Sequence, residues 1–316
     1  MSKAHSGVFY AALVICASVV LFSVNRYTQS DPWGSLLLAD TLLSHGTFKL
    51  DLYGADFLKQ YKWMMHEKNG HWYYYFPIGT SLASLPFVAV AKLFGFEMAQ
   101  VEPSMQILIA AGTSVVTLAL FYRMATLFLE RRSALLSACL FWFGTSLASS
   151  GGSARWSHNY ATLFALGAIY LTVIALVQEE PPREHPWALT IGILLFCAYL
   201  CRPTMALLSP LLLLFLAHHR FFDAVKAGLA VAACLGAFIA FSFYEFGQPL
   251  PDYYAPGRVA ESNSFLTAFY GNLLSPARGI LVFSPFLVLV WLCLRDAEKP
   301  WGLKPSWLLV GLVWPL

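Results

Sequence analysis

Two charged residues, Asp31 and Arg202, border apolar stretches of the sequence. Asp31 follows the first apolar run of the chain, and Arg202 separates two later runs. An unpaired charge at the edge of a membrane is costly, so we expect Arg202 to contact an acidic side chain or a bound phosphate. Arginine suits phosphate because its planar guanidinium stays charged and binds two oxygens at once. A carboxylate partly removed from water gains basicity, so Asp31 could take a proton from a hydroxyl group.

Asp31 also fits a structural role. It could cap a helix with Pro32 in the first helical position, and Gly46 would end that helix. The apolar residues of this helix would form the stripe that is typical of a helix at a membrane interface: Leu36, Leu37, Leu38, Leu42 and Leu43. The catalytic and the capping interpretation of Asp31 both stay open on sequence grounds.

Other candidate residues lie in segments rich in turn residues and aromatics. Arg155 and Arg278 could bind phosphate or form structural ion pairs, and His158 could belong to a site or be a hydrogen-bonded structural residue. Tyr75 belongs to the aromatic segment 70–79, which forms either a belt at the lipid headgroups or a wall for a sugar or prenyl chain. No Cys, His, Asp and Glu grouping has metal-ligand spacing, so we expect no metal.

The composition indicates a membrane protein. Of the 316 residues, 58% are hydrophobic and 12% are charged, and the net charge is +3; the mean hydropathy is +0.62. Soluble domains carry about 25% charged residues, so this chain could not cover a water-facing surface. An ordinary cytosolic enzyme and a disordered chain are therefore excluded. The small net charge and the lack of a basic stripe exclude a nucleic-acid partner.

Apolar runs near the length of a bilayer span predict an all-α polytopic membrane protein with about eight or nine transmembrane helices. The runs cover 7–25, 104–122, 133–150, 159–178, 187–201, 204–217, 224–244 and 280–294, and a last one starts near Ser306. We expect one transmembrane domain over 1–316. Because the last apolar run stops at Leu316, we also expect this domain to be truncated at the C-terminus.

The distribution of Lys and Arg predicts how the chain crosses the membrane. The run 77–95 is interrupted by Pro77, Pro86 and Lys92. If it does not cross, ten basic residues lie in the inside loops and four in the short outside loops; if it crosses, five lie inside and nine outside. Basic residues favour the cytoplasmic side, so we expect 77–95 to be a juxtamembrane helix on the outer surface. It then belongs to a long first external loop, 26–103, on the same side as the candidate residues.

The order of several short motifs resembles the GT-C fold glycosyltransferases, the clan of the protein O-mannosyltransferases, aminoarabinose transferases and Rgt-like enzymes. The resemblance covers nearly the whole chain, and its specificity lies in the order of the motifs. The motifs are Asp31 to Gly46, Pro77-Ile-Gly-Thr-Ser-Leu82, Gly144-Thr-Ser, Arg155-Trp-Ser-His158, Arg202-Pro-Thr204, Tyr244-Glu-Phe-Gly-Gln-Pro-Leu250, Leu274-Ser-Pro-Ala-Arg-Gly279 and Phe283-Ser-Pro285.

The resemblance implies an enzyme on the periplasmic face of a bacterial inner membrane that uses a polyprenyl-phosphate sugar as donor and no further cofactor. The acceptor would be a hydroxyl of a lipid, a glycan or a protein. Asp31 matches the family's catalytic base. Relatives often have Glu after this Asp and a Lys or Arg near Pro77, whereas this chain has Pro32, Tyr75 and Phe76. The residues expected to bind substrate are Arg202, Arg278, Arg155, His158 and Tyr75.

Two other functions stay open. A transporter or flippase of lipid-linked precursors predicts internal repeats and charges near the middle of the bilayer. The sequence has no clear repeat, and its charges lie at the ends of apolar runs. A catalytically inactive membrane scaffold is compatible with the departures from the family pattern at Pro32 and Tyr75.

Overall fold

The chain is mostly helical, as expected for an all-α protein. The structure, a computed structural model, describes residues 3–22, 31–145, 147–148, 157–177, 187–255, 265–276 and 279–283. Its α-helices are α1 (Lys3–Leu21), α2 (Ser35–His45), α3 (Ala55–Leu58), α4 (Gly79–Leu93), α5 (Met98–Ala125), α6 (Arg131–Phe143), α7 (Ser157–Val177), α8 (Trp187–Cys201), α9 (Leu208–His219), α10 (Phe221–Phe246), α11 (Phe265–Leu274) and α12 (Ile280–Phe283). Short 3-10 helices cover Asp51–Tyr53, Lys59–Met64, Pro203–Leu207 and Asp252–Tyr254.

Three helices in the described part of the chain are long and apolar enough to cross a membrane: α5, α7 and α10. Four shorter apolar helices cover Gly7–Leu21, Gly79–Leu93, Trp187–Cys201 and Pro203–His219. These apolar helices support the prediction, made from the composition, of a membrane protein. The total of eight or nine spans stays a prediction, because the predicted run from Ser306 and most of 280–294 lie outside the described residues.

The helices pack around two hydrophobic cores, with α5 between them. The smaller core joins α1, α5 and α6 around Cys16, Leu118 and the fully buried Trp142. The larger core joins α2, α4, α7, α8 and α10, with residues such as Ile191 and Leu195 buried at its centre. Because α5 contacts α1 and α6 as well as α2 and α7, it connects the two groups.

Two glycines allow helices of the larger core to approach closely. A Cβ atom at Gly192 on α8 would lie 2.2 Å from the main-chain oxygen of Ala227 on α10. A Cβ atom at Gly79, the first residue of α4, would lie 2.4 Å from the main-chain carbon of Leu200 on α8. Small residues at helix crossings let backbones approach each other, as is common in membrane proteins.

The segment predicted as an external loop is folded into the core from residue 31 onward. Leu36, Leu37 and Leu38 on α2 are at most 1% exposed, so the first half of the predicted interfacial helix is buried in the protein, whereas Leu43 is 41% exposed. Its predicted C-terminal end is confirmed, because Gly46 adopts φ 65° and its N–H bonds the carbonyl of Leu42. The predicted juxtamembrane helix exists as α4, which packs against α2; its position relative to a membrane stays a prediction.

A β-hairpin follows the short helical segment over 55–64. The helical part ends at Met64, and strands β1 (Met65–Lys68) and β2 (His71–Tyr74) then pair antiparallel, with Met65 opposite Tyr74. The turn is Asn69-Gly70, with φ values of 54° and 77°. This pair of left-handed residues matches the twist of two-residue hairpins.

Candidate functional site

Arg202 lies in the link between α8 and the 3-10 helix Pro203–Leu207, and its guanidinium contacts the first turn of α7. Its Nη1 atom is 2.8 Å from Nε2 of His158 and 3.5 Å from Oγ of Ser157. A guanidinium can only donate hydrogen bonds, so Nε2 of His158 accepts this bond and carries no proton. The structure thus brings together two of the predicted site residues, Arg202 and His158.

Asp31 is an acidic residue near Arg202. Burial lowers the pKa of Arg202, whereas the nearby Tyr253 and Asp31 raise it. Asp31 is therefore close enough to Arg202 for their charges to interact, although the two residues are far apart in sequence. The turn that bears Asp31, the start of α7, the Arg202 link and the segment 251–255 meet in one region.

The capping interpretation of Asp31 is wrong, because α2 begins four residues later. Residues 31–34 form a turn, the helix starts at Ser35, and its N-cap residue is Gly34 with φ 92°. The turn is held through its carbonyl groups. The hydroxyl of Tyr74 donates to the carbonyl of Asp31, and Nε2 of Gln106 donates to the carbonyl of Pro32 at 2.7 Å.

Glu102 on α5 performs the capping role, and sequence reasoning missed it. Its Oε1 atom accepts the N–H groups of Gly34 at 2.8 Å and Leu36 at 3.1 Å. Oε2 accepts the hydroxyl of Tyr61 at 3.2 Å, and the Glu102 side chain is fully buried. The sequence carries a signal for this role: Glu102 and Gln106 lie one helical turn apart at the start of an apolar run. Polar side chains in such a place need partners.

Tyr75 belongs to an aromatic cluster next to Arg202. Its ring centre lies 5.6 Å from that of His66 and 5.8 Å from that of Tyr253, both with edge-to-face geometry. Tyr253 is also one of the groups that raise the pKa of Arg202. Tyr74 and Phe76 are buried in the protein, which contradicts a belt at the headgroups. The alternative, an aromatic wall beside the site, remains.

Tyr254 fixes the position of the segment that carries Tyr253. Its hydroxyl donates to the carbonyl of Leu200 at 2.6 Å and accepts the N–H of Ile78 at 3.1 Å. The side chain is 6% exposed. One hydroxyl therefore ties together α8, the residue before α4 and the segment after α10.

An apolar groove of about 270 Å³ runs along the same helices. It starts beside Leu200, two residues before Arg202, and continues between α8 and α10. Its lining is apolar throughout: Phe48, Ile78, Leu82, Phe196, Leu200, Cys234, Ala237, Phe238 and Phe241. Such a lining can hold a hydrocarbon chain but offers no group to orient a polar ligand.

Two predicted site residues, Arg155 and Arg278, lie outside the described residues. Among the residues that the structure describes, no group of three or more His, Cys, Asp or Glu side chains could hold a metal ion. Comparisons with protein families, with curated proteins and with solved structures gave no match to this chain.

Proposed function

We propose that the chain is an integral-membrane glycosyltransferase that moves a sugar from a polyprenyl-phosphate donor to an acceptor hydroxyl. The observation that carries the proposal is a partly buried cation, Arg202, which contacts His158 at 2.8 Å. The carboxylate of Asp31, in the turn before α2, lies near enough for its charge to act on Arg202. Sugar transfer from a lipid phosphate needs a cation for the departing phosphate and a base for the attacking hydroxyl.

Arg202 would bind the phosphate of the donor. His158 occupies one N–H of its Nη1 atom at 2.8 Å and thereby orients the guanidinium. A guanidinium has five N–H groups, so others can face two phosphate oxygens. Negative charge grows on the phosphate as the sugar leaves, and a fixed cation stabilises that charge without reorganising.

Asp31 would act as the base. The acceptor oxygen forms a bond to the anomeric carbon, and its proton passes to the Asp31 carboxylate. The bond from the anomeric carbon to the phosphate oxygen breaks, and its electron pair leaves with the phosphate, so the configuration at the anomeric carbon inverts. Before the donor binds, the charge of Asp31 acts on Arg202. When the donor phosphate binds the Arg202 guanidinium, the Asp31 carboxylate becomes available to accept the proton of the acceptor hydroxyl.

The surroundings of the two charges fit the other parts of the donor. The apolar groove beside Leu200 would hold the first part of the prenyl chain, since hydrocarbon gains about 25 cal/mol for each Å² removed from water. The rings of Tyr75 and Tyr253 would form a wall against the sugar. From the distribution of Lys and Arg, we place this site on the outer face of a bacterial inner membrane.

Donor binding tests the role of Arg202. Radiolabelled polyprenyl phosphate is titrated into the purified full chain in detergent, and bound lipid is measured on filters. We expect Arg202→Gln to weaken binding about tenfold or more, as loss of a charged hydrogen-bond partner does. The affinity of Arg202→Lys for the lipid should lie between those of Arg202→Gln and the unaltered chain, because lysine keeps the charge but lacks the planar guanidinium. Arg220→Gln, at the link between α9 and α10, is the matched control.

The same preparation separates the proposal from its alternatives. A transferase releases polyprenyl phosphate when it is given a polyprenyl-phosphate sugar and an acceptor. Movement of the intact lipid-linked sugar between the leaflets of a vesicle, without release, would indicate a flippase. Binding with neither release nor movement would indicate a scaffold. Equal affinity of Arg202→Gln and the unaltered chain would remove Arg202 from the site.

A further inference from the structure

An open cleft of about 410 Å³ lies where the end of α4 meets the start of α5. It has no residue in common with the Arg202 region or with the apolar groove. Its lining residues are Asp40, Tyr53, Lys92, Gly95, Phe96, Glu97, Met98 and Ala99. Three of them carry charges, and these charges are of both signs.

Lys92 supplies a cation that can reach a ligand. Its ammonium donates to Oδ1 of Asp40, and to Oγ of Ser44 at 2.7 Å. An ammonium has three N–H groups, so one can be directed to an incoming oxygen. The Lys92 side chain is 38% exposed, whereas that of Asp40 is 14% exposed. The pair thus presents its cation to the cleft and keeps most of its carboxylate covered.

Asp40 is held firmly in this arrangement. Its Oδ2 atom accepts the hydroxyl of Tyr53 at 2.6 Å. Burial alone would raise the pKa of Asp40, but the hydrogen bonds from Lys92 and Tyr53 and the charge of Lys92 outweigh it and lower the pKa. Asp40 is therefore an anion that fixes Lys92 in place.

Glu97 supplies an exposed anion in the same cleft. One of its oxygens, Oε2, accepts Nε2 of Gln100 at 2.5 Å. A carboxylate has about four lone-pair sites, so Glu97 retains capacity for a donor from a ligand. With Asp40 and Glu97 against Lys92, the charged side chains of the cleft sum to a net negative value.

An exposed apolar face leads along α4 to the cleft. Phe87 and Val90 are 43% and 53% exposed, and Leu93 and Phe94 at the end of the helix are 86% and 76% exposed. Positions three and four residues apart share one helix face. Large contiguous apolar surfaces of this kind mark contact with a membrane or a partner. Phe96 continues the surface onto the rim of the cleft, where it is 52% exposed.

We propose that this cleft binds the headgroup of a phospholipid with a primary amine. The lipid phosphate contacts Lys92, the ammonium donates to Glu97, and the acyl chains lie along the exposed face of α4. A headgroup with a net negative charge meets repulsion, because the two carboxylates outnumber Lys92. A quaternary ammonium has no N–H to donate to Glu97. This inference does not depend on the proposed transferase activity.

Native mass spectrometry of the purified full chain tests the proposal. The probes are phosphatidylethanolamine, phosphatidylcholine and phosphatidylglycerol with identical acyl chains, each added to delipidated protein in detergent. We expect about threefold to fivefold greater retention of phosphatidylethanolamine than of the other two, the range of a partly exposed ion pair. Glu97→Gln should reduce retention of phosphatidylethanolamine to that of phosphatidylcholine.

Three variants distinguish loss of the headgroup contacts from loss of stability. Lys92→Met should weaken binding of phosphatidylethanolamine, but it also leaves Asp40 without its cation and can lower stability. Glu97→Gln preserves the contact of Lys92 with Asp40 and therefore decides the outcome. Lys59→Met, which removes an exposed ion pair with Asp56 elsewhere, should leave the preference unchanged. Equal retention of the three lipids, or an unchanged preference in Glu97→Gln, overturns the proposal.

Discussion

The carboxylate of Glu102 accepts a 2.8 Å hydrogen bond from the main-chain N–H of Gly34, and the two residues come from distant parts of the chain. The first N–H groups of α2 are thus satisfied by a side chain of α5. A negative charge at a helix N-terminus also interacts favourably with the helix dipole. Because Gln106 on the same helix binds the carbonyl of Pro32, α5 fixes the turn that carries Asp31. Glu102 and Gln106 are positioning residues for the proposed base.

Replacing Glu102 by Gln should destabilise the fold. Glutamine keeps the shape but has one acceptor oxygen, and its amide donors face the donor groups of Gly34, Leu36 or Tyr61. Leaving buried donors unsatisfied costs about 1–3 kcal/mol. We expect a lower apparent melting temperature of the purified protein in detergent.

Glu67→Gln is the matched control for Glu102→Gln, since Glu67 is an exposed residue on β1, away from any helix end. It should melt within a degree or two of the unaltered chain, because surface substitutions change stability by less than about 0.5 kcal/mol. If both variants melt alike, Glu102 does not stabilise α2.

Gly192→Ala should loosen the contact between α8 and α10. The added methyl group would meet the main-chain oxygen of Ala227 at 2.2 Å and the Cβ atom of Ala230 at 2.7 Å. Because the first of these is backbone, the helices must move apart, which costs about 1–3 kcal/mol. Thermal unfolding in detergent measures the loss.

Gly236→Ala is the control for helix propensity, since no atom lies within 4 Å of a Cβ atom at Gly236 on α10. It should be neutral or stabilising by up to about 1 kcal/mol. Equal stability of the two alanine variants would mean that α8 and α10 do not approach as closely as described.

His66 should make stability depend on pH. Burial lowers the pKa of His66; Asp252 partly opposes this effect, and Lys68 adds to it. The fold therefore favours neutral imidazole, and the unfolded chain binds more protons once the pH falls below about 6.5. Its contribution to the unfolding free energy is present above that pH. It decreases as the pH falls from 6.5 to the lower pKa of the folded protein, by at most about 1.4 kcal/mol per pH unit.

The effect of His66 is measured by comparing melting temperatures at two pH values, 7.5 and 5.5 being suitable (about one unit either side of 6.5). His66→Gln should melt with a smaller pH dependence than the unaltered chain, and His45→Gln, at an exposed position, should not. The carboxylates of Asp40 and Asp252, whose pKa values are lowered, lose their contribution only at more acidic pH. An identical pH dependence with and without His66 would contradict this assignment.

Local patterns predicted much of the helical structure. The runs that became α5, α7, α8 and α10 are long and apolar, and the end of α2 at Gly46 follows from the conformational freedom of glycine. The need of Arg202 for a partner was also predictable, because a charge between two apolar runs demands one. The Asn69-Gly70 turn carries the sequence signal of a two-residue hairpin.

The remaining features depend on contacts between distant parts of the chain. No local rule connects Glu102 to Gly34, or His158 to Arg202, because both bonds require the helices to be assembled first. The burial of Leu36, Leu37 and Leu38 likewise depends on α4 and α5 covering α2. Sequence spacing suggested charged candidate residues but not which of them would meet.

The role of Asp31 as the base of a sugar transfer beside Arg202 is tested most directly by the transfer rate of Asp31→Asn. Radiolabelled sugar is followed from the polyprenyl-phosphate donor into product, with Asp56→Asn as control because its side chain is 99% exposed. Loss of a general base costs about 10² to 10⁴ in rate. We predict a loss of at least about 100-fold in Asp31→Asn with donor binding retained, and none in Asp56→Asn. Transfer at the unaltered rate in Asp31→Asn would contradict the role of Asp31 as the base.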